Sequence, residues 1–300
     1  MSGHQHPSNR SRLRLALAIT SAILLTEVIG ALLTGSLALL VDAAHMLTDA
    51  GGLLLALFTA NLATKPANTR RTWGYGRADV LSATAQGTIL LGMGVFVLIE
   101  GVRRLIHPPE IPTTSLAVFG AIALVGNLAS LAVLLRARDS NLNLRAAFLE
   151  TVNDALGSAA VLIAAATIAL TGWTRADAVV AILIGVLILP RTIKLLWETV
   201  DVLLESTPRG LSLESIRAHL LEIPHVLSVH DLHATQISTG LPVLTAHVVV
   251  EDDCFFDGRA SSMIDELQQC VAEHFDVQIE HSTFQLERAV HTEHEYKTHQ

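Results

Sequence analysis

Six apolar runs of about 20 residues fill the first two thirds of the chain, and a run of that length crosses a bilayer as a helix. They lie near 13–34, 37–63, 79–104, 113–136, 146–171 and 175–198. A soluble globule has no way to bury six such segments, so the expected fold class is an α-helical membrane protein. Composition agrees: the chain is 51% hydrophobic but only 4% aromatic, and Ala, Leu, Val and Ile supply the apolar content. Glu27 interrupts the first run, and no cleavage pattern follows it, so it reads as a retained span rather than a signal peptide.

Charge divides the chain. Residues 1–200 carry 15 Lys/Arg and 11 Asp/Glu, a net of +4, whereas residues 201–300 carry 5 and 17, a net of −12. Cationic residues cluster before span one (Arg10, Arg12, Arg14), between spans two and three (Lys65, Arg70, Arg71, Arg77), between four and five (Arg136, Arg138, Arg145) and at the end of span six (Arg191, Lys194). The opposite side holds Arg103, Arg104 and Arg175. Positive residues stay inside, which places both termini in the cytoplasm. The expected organisation is a cytoplasmic tail at 1–12, a six-helix domain at 13–200, a cytoplasmic domain at 201–288 and a His-containing tail at 289–300.

The last hundred residues change period. An amphipathic helix is expected over 212–223, strands over 226–238 and 241–251, a helix over 258–275 with Met263, Leu267, Val271 and Phe275 on one face, and a final strand over 277–287. That order makes a small α+β layer with helices on one face of a three-stranded sheet. Its core is modest for about 80 residues, so a partner subunit would support it. Cys254 and Cys270 form no CxxC pair; Cys270 fits the buried helix face, and Cys254, after an acidic turn, reads as an exposed thiol.

Two stretches stand out within the apolar runs: "HMLTD" at 45–49 and "ETVND" at 150–154, each followed by small residues. Residues i and i+4 share a helix face, so His45 and Asp49 point one way from span two, as Glu150 and Asp154 do from span five. Ionisable groups at bilayer depth are costly and functional by default, and the trailing glycines admit a neighbouring helix. If the faces meet, one imidazole and three carboxylates form a four-ligand set suited to a divalent cation such as zinc. Metal binding then couples to proton release. Asp42, on the same face, reads as an acid behind the ligands, a gate residue, or a cap near the membrane surface. Glu27, Glu100 and Asn127 read mainly as interhelical hydrogen-bonding groups.

These motifs resemble the cation diffusion facilitator family over nearly the whole chain. The resemblance rests on "TGSLALLVDAAHMLTDAGGLLLALF", "RRTWGYGRADVLSATAQG", "NDALGSAAVLIAA" and the ending "HDLHATQIS … AHVVVED … IEHSTFQLE". It implies a homodimeric exporter of zinc or a similar ion, working by alternating access in exchange for protons, with a ferredoxin-like cytoplasmic domain that binds further metal and holds the dimer. A bacterial plasma membrane is the expected location. His45, Asp49 and Asp154 match the family's transport ligands. Position 150 departs from it, with Glu where the zinc-type family has His. That makes a harder set, more tolerant of Mn²⁺, Fe²⁺ or Co²⁺, although the intact His45 keeps zinc the favoured cargo.

In the cytoplasmic domain the resemblance implies His230, His247 and His281 as ligands, with His233 an added candidate and Thr283 in place of an acid that some relatives carry. His4, His6, His291, His294 and His299 read as weak metal-collecting groups. The resemblance also implies that Arg77 and Glu205 tie the membrane part to the cytoplasmic domain. No HExxH or nucleophile motif supports an intramembrane hydrolase, and the acidic balance argues against nucleic acid. No organic cofactor is called for, lipid is the expected surround, and the remaining alternative is a membrane metal sensor that does not transport.

Overall fold

The structure is a computed structural model that describes residues 7–135, 142–238 and 240–291. Six long helices come first: α1 (Pro7–Thr34), α2 (Leu37–Ala63), α3 (Ala78–Ile106), α4 (Thr113–Leu135), α5 (Leu142–Thr171) and α6 (Arg175–Leu203). Then follow α7 (Leu213–Leu221), β1 (Val226–Ser238), β2 (Leu241–Val250), a single 3₁₀ turn (Asp252–Phe255), α8 (Ala260–Glu273) and β3 (His281–Arg288). The helices match the apolar runs, with three extensions. α1 begins at Pro7 and α5 at Leu142, each ahead of its run, and α6 continues to Leu203. Chain contacts divide the molecule into two units, one from the chain up to Leu54 with Ala85–Lys194, the other from Leu55–Thr84 with the chain after Leu195.

In the first unit an apolar core that includes Leu37, Leu39, Val97, Leu116 and Val161 is joined by buried polar groups, and large apolar residues also face outward. Leu32, Leu170 and Leu187 face outward, while Glu27, Asp42, Asn127, Ser130, Asp154, Ser158 and Asp177 are buried. A broad apolar exterior of this kind is what lipid covers. By length and composition, α4, residues 147–171 of α5, and α6 are each long and apolar enough to cross a membrane. Tight links join consecutive helices. Gly35 and Gly172, both at positive φ, end α1 and α5 in the left-handed conformation that glycine adopts without strain. The first turn of α2 is then capped from a distance. Asp177 of α6 accepts hydrogen bonds from the Leu37 amide at 2.7 Å, the Ala38 amide at 3.3 Å and the Ser36 hydroxyl. An anion at a helix N-terminus satisfies free amides and the dipole together, which holds in place the helix that carries His45 and Asp49.

The second unit contains the α+β domain. Its sheet has the order β1-β2-β3, with β1 and β2 antiparallel and β2 and β3 parallel. The parallel pair needs a crossover, which α8 supplies. Ile216 and Leu220 of α7, and Met263, Leu267 and Val271 of α8, pack on Leu232, Leu244, Val248, Val250 and Phe284 of the sheet. This leaves the alternate residues, among them His247 and Glu287, on the other face. One expectation fails: Cys254 is fully buried. The 3₁₀ turn at 252–255 folds its side chain into the core beside the α8 residues, and an acidic local sequence hides that turn from a reading by period. Cys270 is buried as expected, and its burial pushes the thiol's pKa up, with Glu222 adding to the effect.

Candidate metal transport site and cytoplasmic metal cluster

The helix spacing read from the sequence brings α2 and α5 together in the first unit. Potential ligand atoms of His45, Asp49 and Glu150 all lie within 4.8 Å of one another. His45 Nε2 stands 3.4 Å from Asp49 Oδ2 and 3.5 Å from Glu150 Oε1. Those separations are long for hydrogen bonds and short enough for one ion to bridge. Asp49 Oδ2, Glu150 Oε1 and His45 Nδ1 are buried without a hydrogen-bond partner among the described residues. Buried polar atoms are nearly always satisfied, so the two idle carboxylate oxygens beside His45 Nε2 mark a place for a cation. Asp154 lies one turn beyond Glu150 on α5, is buried, and falls outside the three-residue cluster.

Small residues allow this approach. A Cβ at Gly157 would lie 2.7 Å from Asp42 Oδ1, and one at Gly52 would lie 2.2 Å from the Gln86 side chain. Gly157 therefore seats α5 against α2, and Gly52 seats α2 against α3, where Gln86 donates to the Thr48 carbonyl at 3.3 Å. Asn127 of α4 donates to Ser158 Oγ at 3.0 Å, and Ser158 donates to the Asp154 carbonyl at 3.0 Å. Asn127 thus does serve as an interhelical hydrogen-bonding group. Glu100 is held within its own helix by Arg104 at 3.0 Å. One neighbour was not foreseen as such. Arg191, just after Pro190 inside α6, stands 3.7 Å from Glu150 Oε2. Sequence reading counted it only as a topology charge.

A second cluster forms on the open face of the sheet. His230 and His247 face each other across β1 and β2 with ring centroids 5.3 Å apart. Glu287 of β3 completes the group: its Oε1 lies 2.8 Å from His247 Nδ1, and its Oε2 lies 3.4 Å from His230 Nε2. The three ligand sets fall within 4.8 Å of one another. Gln285 also donates to Glu287 Oε1 at 2.7 Å. A bulge between His230 and His233 places Asp231 at positive φ, a conformation Asp tolerates. The Asp231 carboxylate then reaches His233 Nε2 at 2.9 Å and His247 Nε2 at 3.7 Å.

Sequence reasoning missed Glu287. Its signal was its parity with His281 on an alternating strand, but only the strand register places it beside the histidines. His281 itself is elsewhere. It pairs with Val243, four positions along β3 from the Gln285–His247 pair. The Trp73 ring meets it edge-on at 4.8 Å. His291 is outside the cluster, and His4, His6, His294 and His299 lie outside the described residues. In the same unit Arg77 Nη2 meets Glu205 Oε1 at 2.7 Å.

An apolar helical bundle with an inward-facing His–carboxylate cluster, followed by an α+β domain with a second one, defines a class: integral membrane proteins that handle metal ions. Family comparison is specific. Residues 13–204 match the cation efflux transmembrane domain, and residues 208–289 match the cation efflux protein cytoplasmic domain. The chain belongs to the cation efflux family, the cation diffusion facilitators, and is a transporter rather than an enzyme. It is 40% identical over 287 residues to the metal cation efflux system protein CzcD of Cupriavidus metallidurans, covering 95% of this chain and 89% of that protein. It is 35% identical over 293 residues to zinc transporter ZitB of Escherichia coli, covering 95% and 91%. Identity is 34% over 295 residues, covering 96% and 93%, with a Bacillus velezensis protein named as a cadmium, cobalt and zinc/H(+)-K(+) antiporter.

Proposed function

We propose that this cation efflux protein exports zinc in exchange for protons, as a homodimer in a bacterial plasma membrane with both termini in the cytoplasm. The observation that carries the reading is the pair of unsatisfied carboxylate oxygens on Asp49 and Glu150 beside His45 Nε2, with Asp154 one turn away. One imidazole and three acids neutralise a divalent cation and shed protons to do so. Relatives named for zinc favour that metal, and the positive residues on one side of the helices favour the orientation. Mn²⁺, Fe²⁺ and Co²⁺ are the second reading, because Glu150 makes the donor set harder than one with two imidazoles.

On this reading residues 13–200 carry the cargo, and 201–288 form the cytoplasmic domain that holds the dimer. The tails at 1–12 and 289–300 flank them. Asp42 stands behind the ligands, the His230–His247–Glu287 cluster senses cytoplasmic metal, and Arg77–Glu205 couples the membrane part to the domain. The test uses purified protein in sealed vesicles with zinc- and pH-sensitive dyes inside. Wild type moves zinc against protons. Asp154→Ala abolishes both fluxes while leaving a folded dimer, because removing one acid among several relieves repulsion as it removes a ligand. Wild-type rates in the variant, or zinc binding without flux in the wild type, contradict the proposal; the latter describes a sensor.

A further inference from the structure

Of the buried acids in the first unit outside the ligand cluster, Asp177 caps α2 and Asp154 adjoins the ligands, which leaves Glu27 and Asp42 without a role. Glu27 of α1 is fully buried and Asp42 of α2 nearly so, and their carboxyl groups face each other. Neither Glu27 oxygen, nor Asp42 Oδ2, has a hydrogen-bond partner among the described residues. Ser158 of α5 sets its hydroxyl within reach of both carboxyl groups. Its one proton goes to the Asp154 carbonyl, and its oxygen already accepts from Asn127. The titratable groups set toward the pair are Asp154 from α5 and His45 from α2, while α4 contributes the neutral amide of Asn127. Two ionised carboxylates are acceptors only. Facing each other at bilayer depth they repel, and their burial removes each from bulk solvent.

A proton between them turns that contact into an O–H···O⁻ hydrogen bond, among the strongest available to side chains. A metal ion fits less well. It needs several donors at about 2 Å, and Asp42 is packed tightly on Gly157, where even a Cβ would lie 2.7 Å from its oxygen. A proton requires no such room.

We propose that Glu27 and Asp42 form a proton-carrying carboxyl pair, separate from the metal ligands, that supplies counter-ion coupling to transport. The proposal rests on the proton-exchange reading above. Asp42 stands three residues before His45 on one helix, so charge arriving at the ligands is felt at the pair through a medium of low dielectric. With metal absent, the pair holds one proton. When a dication binds, its field favours the doubly ionised pair, and the O–H bond breaks to release the proton to water. When metal leaves, the pair takes a proton back.

The test compares two assays in proteoliposomes: zinc accumulation driven by a pH gradient, and exchange of radioactive zinc for zinc with no gradient. Glu27→Gln is expected to lower gradient-driven accumulation about tenfold, the scale of a typical coupling free energy, while exchange stays near the wild-type rate. Glu27→Asp, which restores an acid, recovers part of the coupling. Asp42→Asn gives the same split and serves if the Glu27 variants fail to insert. Unchanged accumulation in both variants overturns the proposal. Equal loss of exchange and accumulation also overturns it and places the pair on the metal path. If the wild type itself shows exchange but no pH-driven accumulation, the antiport reading fails first, and that result is distinct from any failure confined to the variants.

Discussion

The membrane cluster and the sheet cluster use the same two groups, imidazole and carboxylate, but differ in how far those groups are already satisfied. In the bundle, Asp49 Oδ2 and Glu150 Oε1 stand buried without hydrogen bonds, and the nearest guanidinium, from Arg191, is 3.7 Å from the other Glu150 oxygen. In the sheet, Glu287 Oε1 is held by His247 at 2.8 Å and Gln285 at 2.7 Å, and only its Oε2, 3.4 Å from His230, is buried without a hydrogen-bond partner among the described residues. A site whose donors are idle binds and releases an ion with little rearrangement, which suits cargo. A site whose acid is already engaged through one oxygen must exchange those bonds for metal bonds to use both, which suits a resident or regulatory ion. The difference teaches that the same residue types read from sequence serve different roles, depending on what else reaches them.

Changing the donor at 150 sharpens the comparison with the larger effect. Glu150→His replaces a hard oxygen by a softer nitrogen, and removes the carboxylate that Arg191 meets. It keeps zinc flux, lowers Mn²⁺ and Co²⁺ flux by about tenfold relative to zinc, and moves the pH dependence of transport toward the histidine range near 6.5. Glu150→Gln binds metal more weakly and lowers zinc flux, while the flux that remains stays coupled to protons. Flux measurements for the four ions Zn²⁺, Mn²⁺, Co²⁺ and Cd²⁺ across pH check both. A Glu150→Gln protein identical to wild type in rate, preference and pH profile makes Glu150 a bystander.

A smaller effect is expected in the sheet. Glu287→Gln keeps an acceptor for His247 but removes the one carboxylate of the His230–His247–Glu287 cluster, and costs about 1 kcal/mol of domain stability, typical of one hydrogen bond. Calorimetric titration of the full chain loses its cytoplasmic zinc event in this variant and in His247→Ala, while most of the flux remains. Abolished flux would place the sheet cluster on the transport path, and the contrast between the clusters would collapse.

Much of this was legible in the sequence, where local spacing decides geometry. His45 with Asp49, and Glu150 with Asp154, share faces because a helix repeats every 3.6 residues. Gly157 announced a close helix contact, and the α+β order followed from the switch of period after residue 200. Other features depend on tertiary placement. Glu287 and His281 sit on one strand face, six residues apart, and only the β2–β3 register puts Glu287 beside His247 and leaves His281 against Trp73. Arg191 reaches Glu150 through the approach of α6 to α5, which no single helix encodes. Glu27 reads from the sequence as an interhelical hydrogen-bonding group, but that the group facing it is Asp42, a second acid, has no local signature. Cys254 was hidden by a single 3₁₀ turn.

The most direct measurement is zinc-edge anomalous scattering from crystals of the full chain grown with zinc. The account predicts a peak in the helical bundle bonded to His45 Nε2 and to the carboxylates of Asp49, Glu150 and Asp154, at distances of about 2 Å. A well-ordered bundle with zinc bound elsewhere and none among these four side chains would contradict it.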